Sequence, residues 1–464
     1  MRTARSDNWA PDTIAAVATP PGRGGIGIVR LSGPEAWQVA ARLVRLRREL
    51  EAGRTGLADV LDPSAPDGAT IDEAVVTPFA APRSYTGEDV VEIAAHGSPI
   101  VLETLLRSAL SFGARLARPG EFTERAFLNG RLDLTQAEAV HDLIAAQTLA
   151  QARMAAQQLG GALSRRVTPI KEELVTLIAL LEAGMDFAAG ELDDVDVVSP
   201  EQIRTTLAQI HEPLERLARS YAQGHRLREG VSLALVGRPN VGKSSLFNRL
   251  LERERAIVTP LPGTTRDTVE EVTAVGGVPV RLIDTAGLRL AGESPADDAE
   301  ALGIARSREA LADADLVIVV LDATATADHQ ETELLQSLNG RPHLVVRNKA
   351  DLLAASASAD GEGILTSAIT TQGMEELRSA ILRLLQADGE IVSGGGLNSL
   401  RQQEAVGAAL QSVAAAETAN ESGVPHEFLL ADLHGALRAL DSLTGQTTSD
   451  DILNRIFSTF CIGK

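Results

Sequence analysis

The spacing of apolar positions divides the chain into stretches of different texture. From Thr13 to about Asn129, short apolar runs (Ile14 to Thr19, Gly27 to Leu31, Ala74 to Pro78, Val90 to Ala94) are cut by glycine and proline. Runs of that length between turn residues predict strands and an α+β domain. From about Leu134 to Arg228 the sequence turns rich in Ala, Leu and Gln, and its apolar positions fall at helical spacing, as in Ala137, Val140, Leu143 and Ile144, then Leu174, Leu177, Ile178 and Leu181. Helices are predicted there. The pattern then reverts to buried strands at Ser232 to Val236, Leu316 to Leu321 and His343 to Val346, continuous apolar runs of the kind found in parallel sheets. Val272 to Val275 and Val278 to Ile283 flank Gly276-Gly277 and predict a hairpin, hence one antiparallel strand in an otherwise parallel sheet.

After Gly394-Gly395-Gly396, a flexible joint, Leu400 to Ser412 and Glu427 to Leu440 are helical again. Helices on both sides of a compact module predict that the module is inserted in a helical domain, because neither amphipathic arm can bury its apolar face by itself. Pro200 and the acidic run Glu191 to Asp196 read as a connection between helices.

Composition narrows the class. The chain has 464 residues, too many for one domain; 44% are hydrophobic and only 3% aromatic, so aliphatic cores are expected. No apolar run approaches the roughly 20 residues that span a bilayer, and there is no secretory-type N-terminus. With a single cysteine no intrachain disulfide can form, and a cytoplasmic protein is expected. A net charge of −20 argues against broad, non-specific nucleic-acid binding. Local basic groups at Arg42, Arg45, Arg47 and Arg48, or at Arg165 and Arg166, read first as solvated helix faces.

The chemistry concentrates at strand ends. Gly237-Arg238-Pro239-Asn240-Val241-Gly242-Lys243-Ser244, followed by Ser245, is a phosphate-binding loop between a strand and a helix. Its backbone N–H groups wrap phosphates, Lys243 adds a point charge, and the Ser244 hydroxyl ligates Mg2+. Asp284-Thr285-Ala286-Gly287 ends a second run, where a carboxylate reaches Mg2+ through water and the Gly287 N–H meets a γ-phosphate. Asn348-Lys349-Ala350-Asp351 ends a third. The Asp351 carboxylate suits the paired N–H donors of guanine, which adenine lacks. Ser367-Ala368 follows the last short run and places backbone beside the guanine oxygen. Thr265 precedes the hairpin and is a Mg2+ ligand when a γ-phosphate is present, so Arg255 to Asp267 is a candidate switch. In this order the motifs resemble those of the translation-factor-like GTPases.

Further blocks extend the resemblance over the whole chain. Asp12-Thr13-Ile14, Ala18-Thr19-Pro20-Pro21-Gly22-Arg23-Gly24-Gly25-Ile26-Gly27, Ser84-Tyr85-Thr86-Gly87-Glu88-Asp89, Arg118 to Gly130 and Phe460-Cys461-Ile462-Gly463-Lys464 are similar to the tRNA modification GTPase family MnmE, also called TrmE. The resemblance implies an N-terminal α+β folate-binding and dimerisation domain (1–130), a discontinuous helical domain (131–228 and 393–464) and an inserted Ras-like P-loop GTPase domain (229–392). It implies a homodimer that acts with the flavoprotein MnmG, as a heterotetramer, on the C5 position of the tRNA wobble uridine. A tetrahydrofolate derivative, 5-formyl or 5,10-methylene, supplies the one-carbon unit. Folate positions of the family fall on Arg30, Glu92, Arg131 and Lys464; at Arg131 the family commonly has lysine. Glu92 suits the pterin, and Arg30, Arg131 and Lys464 the glutamate tail.

Cys461, by itself a small and partly buried hydrophobe, becomes through the resemblance a thiolate nucleophile toward uridine C6. Leu288 follows Gly287 where many small GTPases have glutamine. The resemblance gives water orientation to Glu300 instead, and K+ takes the place of an arginine finger, held by Asn240 and the carbonyls of Thr259, Leu261 and Thr264. The alternative is a GTP-regulated RNA-binding switch in ribosome assembly, which folate binding separates from the enzyme.

Overall fold

The structure, a computed structural model, describes residues 12–48, 51–65, 68–188, 198–238, 240–251, 270–284, 314–325, 329–353, 362–386, 395–447 and 450–464. Its contacts group the chain into two units. The first takes Met1–His141, Gln158–Leu207 and Ala408–Lys464, and the second takes Asp142–Gln157 and Ala208–Gly407.

The first unit begins with an α+β layer. Strands β1 (Ile14–Val17), β2 (Gly24–Ser32), β3 (Val44–Leu46), β4 (Gly56–Leu61), β5 (Thr70–Phe79), β6 (Val90–Gly97) and β7 (Arg115–Leu116) form one sheet in the order β3-β4-β5-β6-β2-β1-β7. Helices α1 (Ala36–Leu43) and α2 (Pro99–Ser111) cover one face. Alternate strand residues point inward, as a pleat requires: Ala58 and Val60, Ala74 and Val76, Val91 and Ile93 bury against Val39, Leu43, Leu102 and Leu105. Pro99 opens α2, where a missing N–H costs nothing. The β2–β6 register sets Arg30 directly opposite Glu92.

Helices follow: α3 (Glu121–Leu128), α4 (Leu134–Ala145), α5 (Leu149–Leu159), α6 (Ala162–Ala188), α7 (Pro200–Arg219) and α8 (Tyr221–Glu229). Leu174, Leu177, Ile178 and Leu181 are all buried on α6, as their spacing predicts. Leu143 and Ile144 at the end of α4 differ, being 37% and 52% exposed. Pro200 stands at the first position of α7 and starts that helix instead of lying in a connection.

The second unit holds a sheet with both faces covered. Strands β8 (Val231–Val236), β9 (Glu270–Val275), β10 (Val278–Asp284), β11 (Leu316–Asp322), β12 (His343–Asn348) and β13 (Ile364–Leu365) run in the order β13-β12-β11-β8-β10-β9, and only the β9–β10 pairing is antiparallel. Helices α9 (Lys243–Leu251), α10 (His329–Ser337) and α11 (Met374–Gln386) pack on it. On β11 the pleat divides the run: Leu316, Ile318 and Val320 face Leu246, Leu250, Leu377 and Ile381, while Val317, Val319 and Leu321 face Leu334, Leu335 and Leu338. A strand buried on both sides must read as an unbroken apolar run, and this one does.

The chain closes with α12 (Leu400–Glu421), α13 (His426–Thr444) and α14 (Asp450–Phe457). In the first unit Leu453, Phe457 and Phe460 bury against Leu134, Ala137 and Val140 of α4. Lys171 on α6 pairs with Asp441 on α13 at 2.5 Å. Among the described residues no helix is long and apolar enough to cross a membrane.

Candidate functional site

In the second unit the C-terminal ends of β8, β10, β11, β12 and β13 share one edge of the sheet, the place where open α/β sheets bind ligands. The phosphate loop leaves β8 there. Gly237 has φ +149, and a Cβ on it would stand 2.2 Å from the Val320 carbonyl oxygen of β11. Gly242 has φ +94, and its Cβ would stand 2.2 Å from Asn348 Nδ2. Both positions exclude side chains, for packing as well as for backbone reasons. Asn240 takes φ 64, a left-handed conformation that asparagine tolerates. Helix α9 begins at Lys243, so the loop ends at N–H groups with no intrahelical partner, with Ser244 and Ser245 exposed in the first turn. Lys243 Nζ arches back to the carbonyls of Gly237 and Arg238, both at 2.8 Å.

Asn348 is buried and joins two loops: its Nδ2 donates to the Val241 carbonyl at 3.0 Å, and its Oδ1 accepts from the Ala368 N–H at 3.2 Å. Lys349 has φ 68, and its ammonium meets Asp322 Oδ2 at 2.6 Å. Burial works to raise the Asp322 carboxyl, but hydrogen bonds from Lys349 and Thr324 outweigh it and hold the group below the usual carboxylate range. Asp322 escaped sequence reasoning. Its signal in the sequence was its place at the end of the apolar run Leu316 to Leu321; its register with Asn348 is seen only in the sheet. Asp351 lies exposed in the single turn Ala350–Leu352, which the Ala350 N–H ties to the Thr366 carbonyl at 3.0 Å.

The structure thus brings Asn240, Val241, Gly242, Lys243, Ser244, Asn348, Lys349, Asp351, Ser367 and Ala368 to one edge. Asp284 ends β10 beside Leu235. Thr259, Leu261, Thr264, Thr265, Thr285, Ala286, Gly287 and Glu300 lie outside the described residues. For Mg2+ the described donor is the Ser244 hydroxyl, and for K+ the exposed Asn240. A cavity of about 550 Å³ at the opposite edge, lined in part by Tyr221, His225, Arg226 and Arg281, holds none of these residues.

A second cluster lies in the first unit. Arg30 Nε and Nη2 each stand 2.8 Å from Glu92 Oε1, and Arg30 Nη1 donates to the Gly463 carbonyl at 3.2 Å. Arg30 and Glu92 therefore form an ion pair across neighbouring strands. The Arg30 guanidinium also lies 5.4 Å from the Tyr85 ring centre and 5.6 Å from that of Phe122. Arg131 Nε donates to the Ser84 carbonyl at 3.1 Å, in the same turn as Tyr85. The C-terminal segment docks by a bridge between Pro119 and Ile462 and by the Phe122 N–H donating to the Lys464 carbonyl at 3.2 Å. Burial and the Arg30 charge push the Lys464 ammonium below the usual amine range, against the opposite pull of Glu92 and Cys461. Cys461 is exposed, which corrects the expectation of a partly buried side chain. Its neighbour Phe460 is buried and anchors it. Sequence reasoning missed Tyr85 and Phe122 as members of this cluster, although both stand in the sequence blocks that carry the resemblance.

Of the basic groups at 42–48 and 165–166, Arg42, Arg45, Arg47 and Arg165 have partners within the chain. Arg47 pairs with Asp59 and Glu73, Arg45 donates to the Gly68 carbonyl, Arg42 stacks 3.9 Å from the Phe112 ring centre, and Arg165 donates to the Gly160 carbonyl.

A glycine-bound phosphate loop and the Asn-Lys-x-Asp turn, meeting at the C-terminal edge of a mostly parallel sheet, define a P-loop GTPase. The model of the MnmE helical domain matches residues 134–461, and that of the GTP-binding protein TrmE N-terminus matches 13–131. Over 460 residues the chain is 55% identical to the tRNA modification GTPase MnmE of Koribacter versatilis, covering 98% of this chain and 99% of that one. With that of Carboxydothermus hydrogenoformans it shares 39% over 467 residues, covering 98% and 99%. The chain belongs to the MnmE family of tRNA modification GTPases. A weaker likeness, 33% identity at a TM-score of 0.25 over 34% of this chain and 99% of the other, links it to the G domain of the T. maritima FeoB iron transporter and adds nothing to the assignment.

Proposed function

We propose that this chain is a K+-stimulated GTP hydrolase that works with the flavoprotein MnmG to modify C5 of the tRNA wobble uridine. The domain limits in this reading are 1–130 for folate binding and dimerisation, 131–228 and 393–464 for the helical domain, and 229–392 for the GTPase. Lys243 and the loop N–H groups hold the β- and γ-phosphates; Ser244, Thr265 and, through water, Asp284 serve Mg2+. Asn240 with the carbonyls of Thr259, Leu261 and Thr264 holds K+, and Glu300 orients the attacking water. Asp351 reads guanine, with Asn348, Lys349, Ser367 and Ala368 forming its surroundings.

In the first unit a bound tetrahydrofolate would supply a one-carbon unit. Arg30, Glu92, Arg131 and Lys464 are its proposed binding residues, and the paired Arg30 and Glu92 suit a ligand edge with both donors and acceptors. The Cys461 thiolate adds to uridine C6 and leaves C5 as the carbon nucleophile; loss of the C5 proton after bond formation expels the thiolate again.

The observation that carries this reading is the bond from Arg30, itself paired with Glu92, to the Gly463 carbonyl, which brings the Cys461–Lys464 end of the sequence to the N-terminal sheet in a chain that also holds the GTPase edge. The test separates the two chemistries. Cys461→Ser is expected to hydrolyse GTP at a near-normal rate yet fail to restore the modified uridine, measured by nucleoside mass spectrometry of tRNA from cells lacking the native gene. Glu300→Ala is expected to bind GTP and lose hydrolysis. Normal modification by Cys461→Ser would reduce Cys461 to a packing residue.

A further inference from the structure

Both polar groups of the Ala368 peptide are held by side chains. Its N–H donates to Asn348 Oδ1 at 3.2 Å, and its carbonyl accepts from Arg249 Nε at 2.9 Å. Arg249 Nη2 reaches the next carbonyl, that of Ile369, at 3.5 Å. Asn348 belongs to the Asn-Lys-x-Asp turn. Arg249 belongs to no nucleotide motif: it stands in the last turn of α9, the helix whose first residue is Lys243.

That helix fixes where the guanidinium sits. Leu246, Phe247, Leu250 and Leu251 bury one face of α9 and leave Arg249 beside it, half-buried. The C-terminal end is pinned in turn, because Arg378 Nη2 from α11 donates to the carbonyls of Arg249 and Leu250, each at 3.3 Å. A cation at the last carbonyls of a helix is favourable. The 367–372 loop closes on itself through Ser367 N–H to Gln372 O at 3.0 Å and Thr371 N–H to Ser367 O at 2.9 Å. Those bonds set the loop's shape; its start is held by Thr366, which pairs with Arg347 and Ala350, and its Ala368–Ile369 part is held toward the phosphate loop and α9 by Asn348 and Arg249. A planar fork reaching two successive carbonyls fixes orientation as well as distance, which a lysine cannot do.

We propose that Arg249 is a positioning residue for base recognition: acting through the carbonyls of Ala368 and Ile369, it holds the 367–369 backbone against the 6-oxygen of guanine and so links the phosphate helix to nucleotide selectivity. The inference rests on the reading of Ser367 and Ala368 as the guanine-oxygen contact.

Calorimetry on the full chain with GDP and with 6-thioguanosine 5′-diphosphate tests it, since sulfur in place of the 6-oxygen is a weak acceptor. The unaltered chain is expected to prefer GDP. Arg249→Ala should weaken GDP binding by about tenfold, the size of one lost charge-assisted hydrogen bond, and weaken the thio analogue much less, so that the preference collapses toward one. Arg249→Lys should restore part of it. An equal loss for both nucleotides makes Arg249 a mere support of the fold and overturns the proposal, as does unchanged GDP binding; the thermal melting profile of each variant shows whether it is folded. If the unaltered chain binds the two nucleotides equally, the reading of Ser367 and Ala368 fails, and the proposal falls with it.

Discussion

Asp351 is exposed on a short turn, yet the residues that hold it there are buried or paired: Asn348 beneath it, and Lys349 tied to Asp322. A carboxylate in that position accepts two hydrogen bonds from guanine, and an amide would offer one donor and one acceptor, the complement of xanthine. Asp351→Asn is therefore expected to weaken GDP binding by about a hundredfold or more, since a mismatched polar pair costs more than a missing methyl. Xanthosine diphosphate should become the better ligand. Calorimetry with GDP, ADP and xanthosine diphosphate checks this, and an ADP affinity comparable to that for GDP in the unaltered chain would sink the guanine assignment.

At the scale of an element, α3 shows how a cluster of charge is used inside the fold. Its first turn carries Glu121, whose carboxylate accepts from Arg115 at 2.6 Å, from the Arg118 N–H at 2.8 Å and from Arg125 at 3.1 Å. Arg125 is buried and also meets Asp12 and Glu88. Burial works to raise the Glu121 carboxyl, but these donors outweigh it and hold it below its ordinary value of 4.5. A carboxyl whose folded pKa is depressed stabilises the fold fully above its unfolded pKa and loses that contribution as pH falls through the folded one. Thermal melting followed by circular dichroism should thus show acid destabilisation beginning below about pH 4.5. Glu121→Gln should lower stability at neutral pH by about 2 kcal/mol, because it takes charge-assisted hydrogen bonds from Arg115 and Arg125 while Asp12 and Glu88 stay paired with them, and should flatten the acid limb. An unchanged acid limb would place the sensitivity elsewhere.

For the molecule as a whole, the question is how a module keeps its place in a chain that leads into it and out again. Asp142, buried at the end of α4, takes Arg228 Nε at 2.8 Å and Asn398 Nδ2 at 3.1 Å. Arg228 precedes β8 and Asn398 precedes α12, so one carboxylate ties the chain on its way into the module and on its way out. Gln151 adds a bond to the Arg228 carbonyl, and Thr148 one to Gly277 at the hairpin turn, both at 2.8 Å. Asp142→Ala is expected to cost about 3 kcal/mol, the range for breaking a buried ion pair, and to leave GDP affinity nearly unchanged, since Arg228 leads into the start of β8, the end opposite the phosphate loop. A chemical denaturation curve beside a GDP titration separates the two effects; a large loss of GDP affinity at unchanged stability would contradict this role.

Much of this was legible in the sequence because it depends on local spacing. A strand buried on both faces has to be an apolar run, so β8 and β11 could be read off directly, whereas β12 buries only Val346 and Asn348 fully, and Gly276-Gly277 announced the hairpin. The phosphate loop was legible for a similar reason: its glycines answer to backbone conformation. Family membership was legible in ungapped blocks. What the sequence could not carry were pairings across long separations. Nothing local indicates that Arg30 is neutralised by Glu92, that Lys349 is held by Asp322, or that Arg249 reaches the Ala368 carbonyl; each depends on strand register or on where a helix ends against a loop. Exposure is decided in the same way. Leu143 and Ile144 keep helical spacing with the buried Val140 and yet face outward, and Cys461 stands exposed beside a buried Phe460, because a one-dimensional pattern specifies the face of an element while only its packed neighbours determine how far along that face is covered.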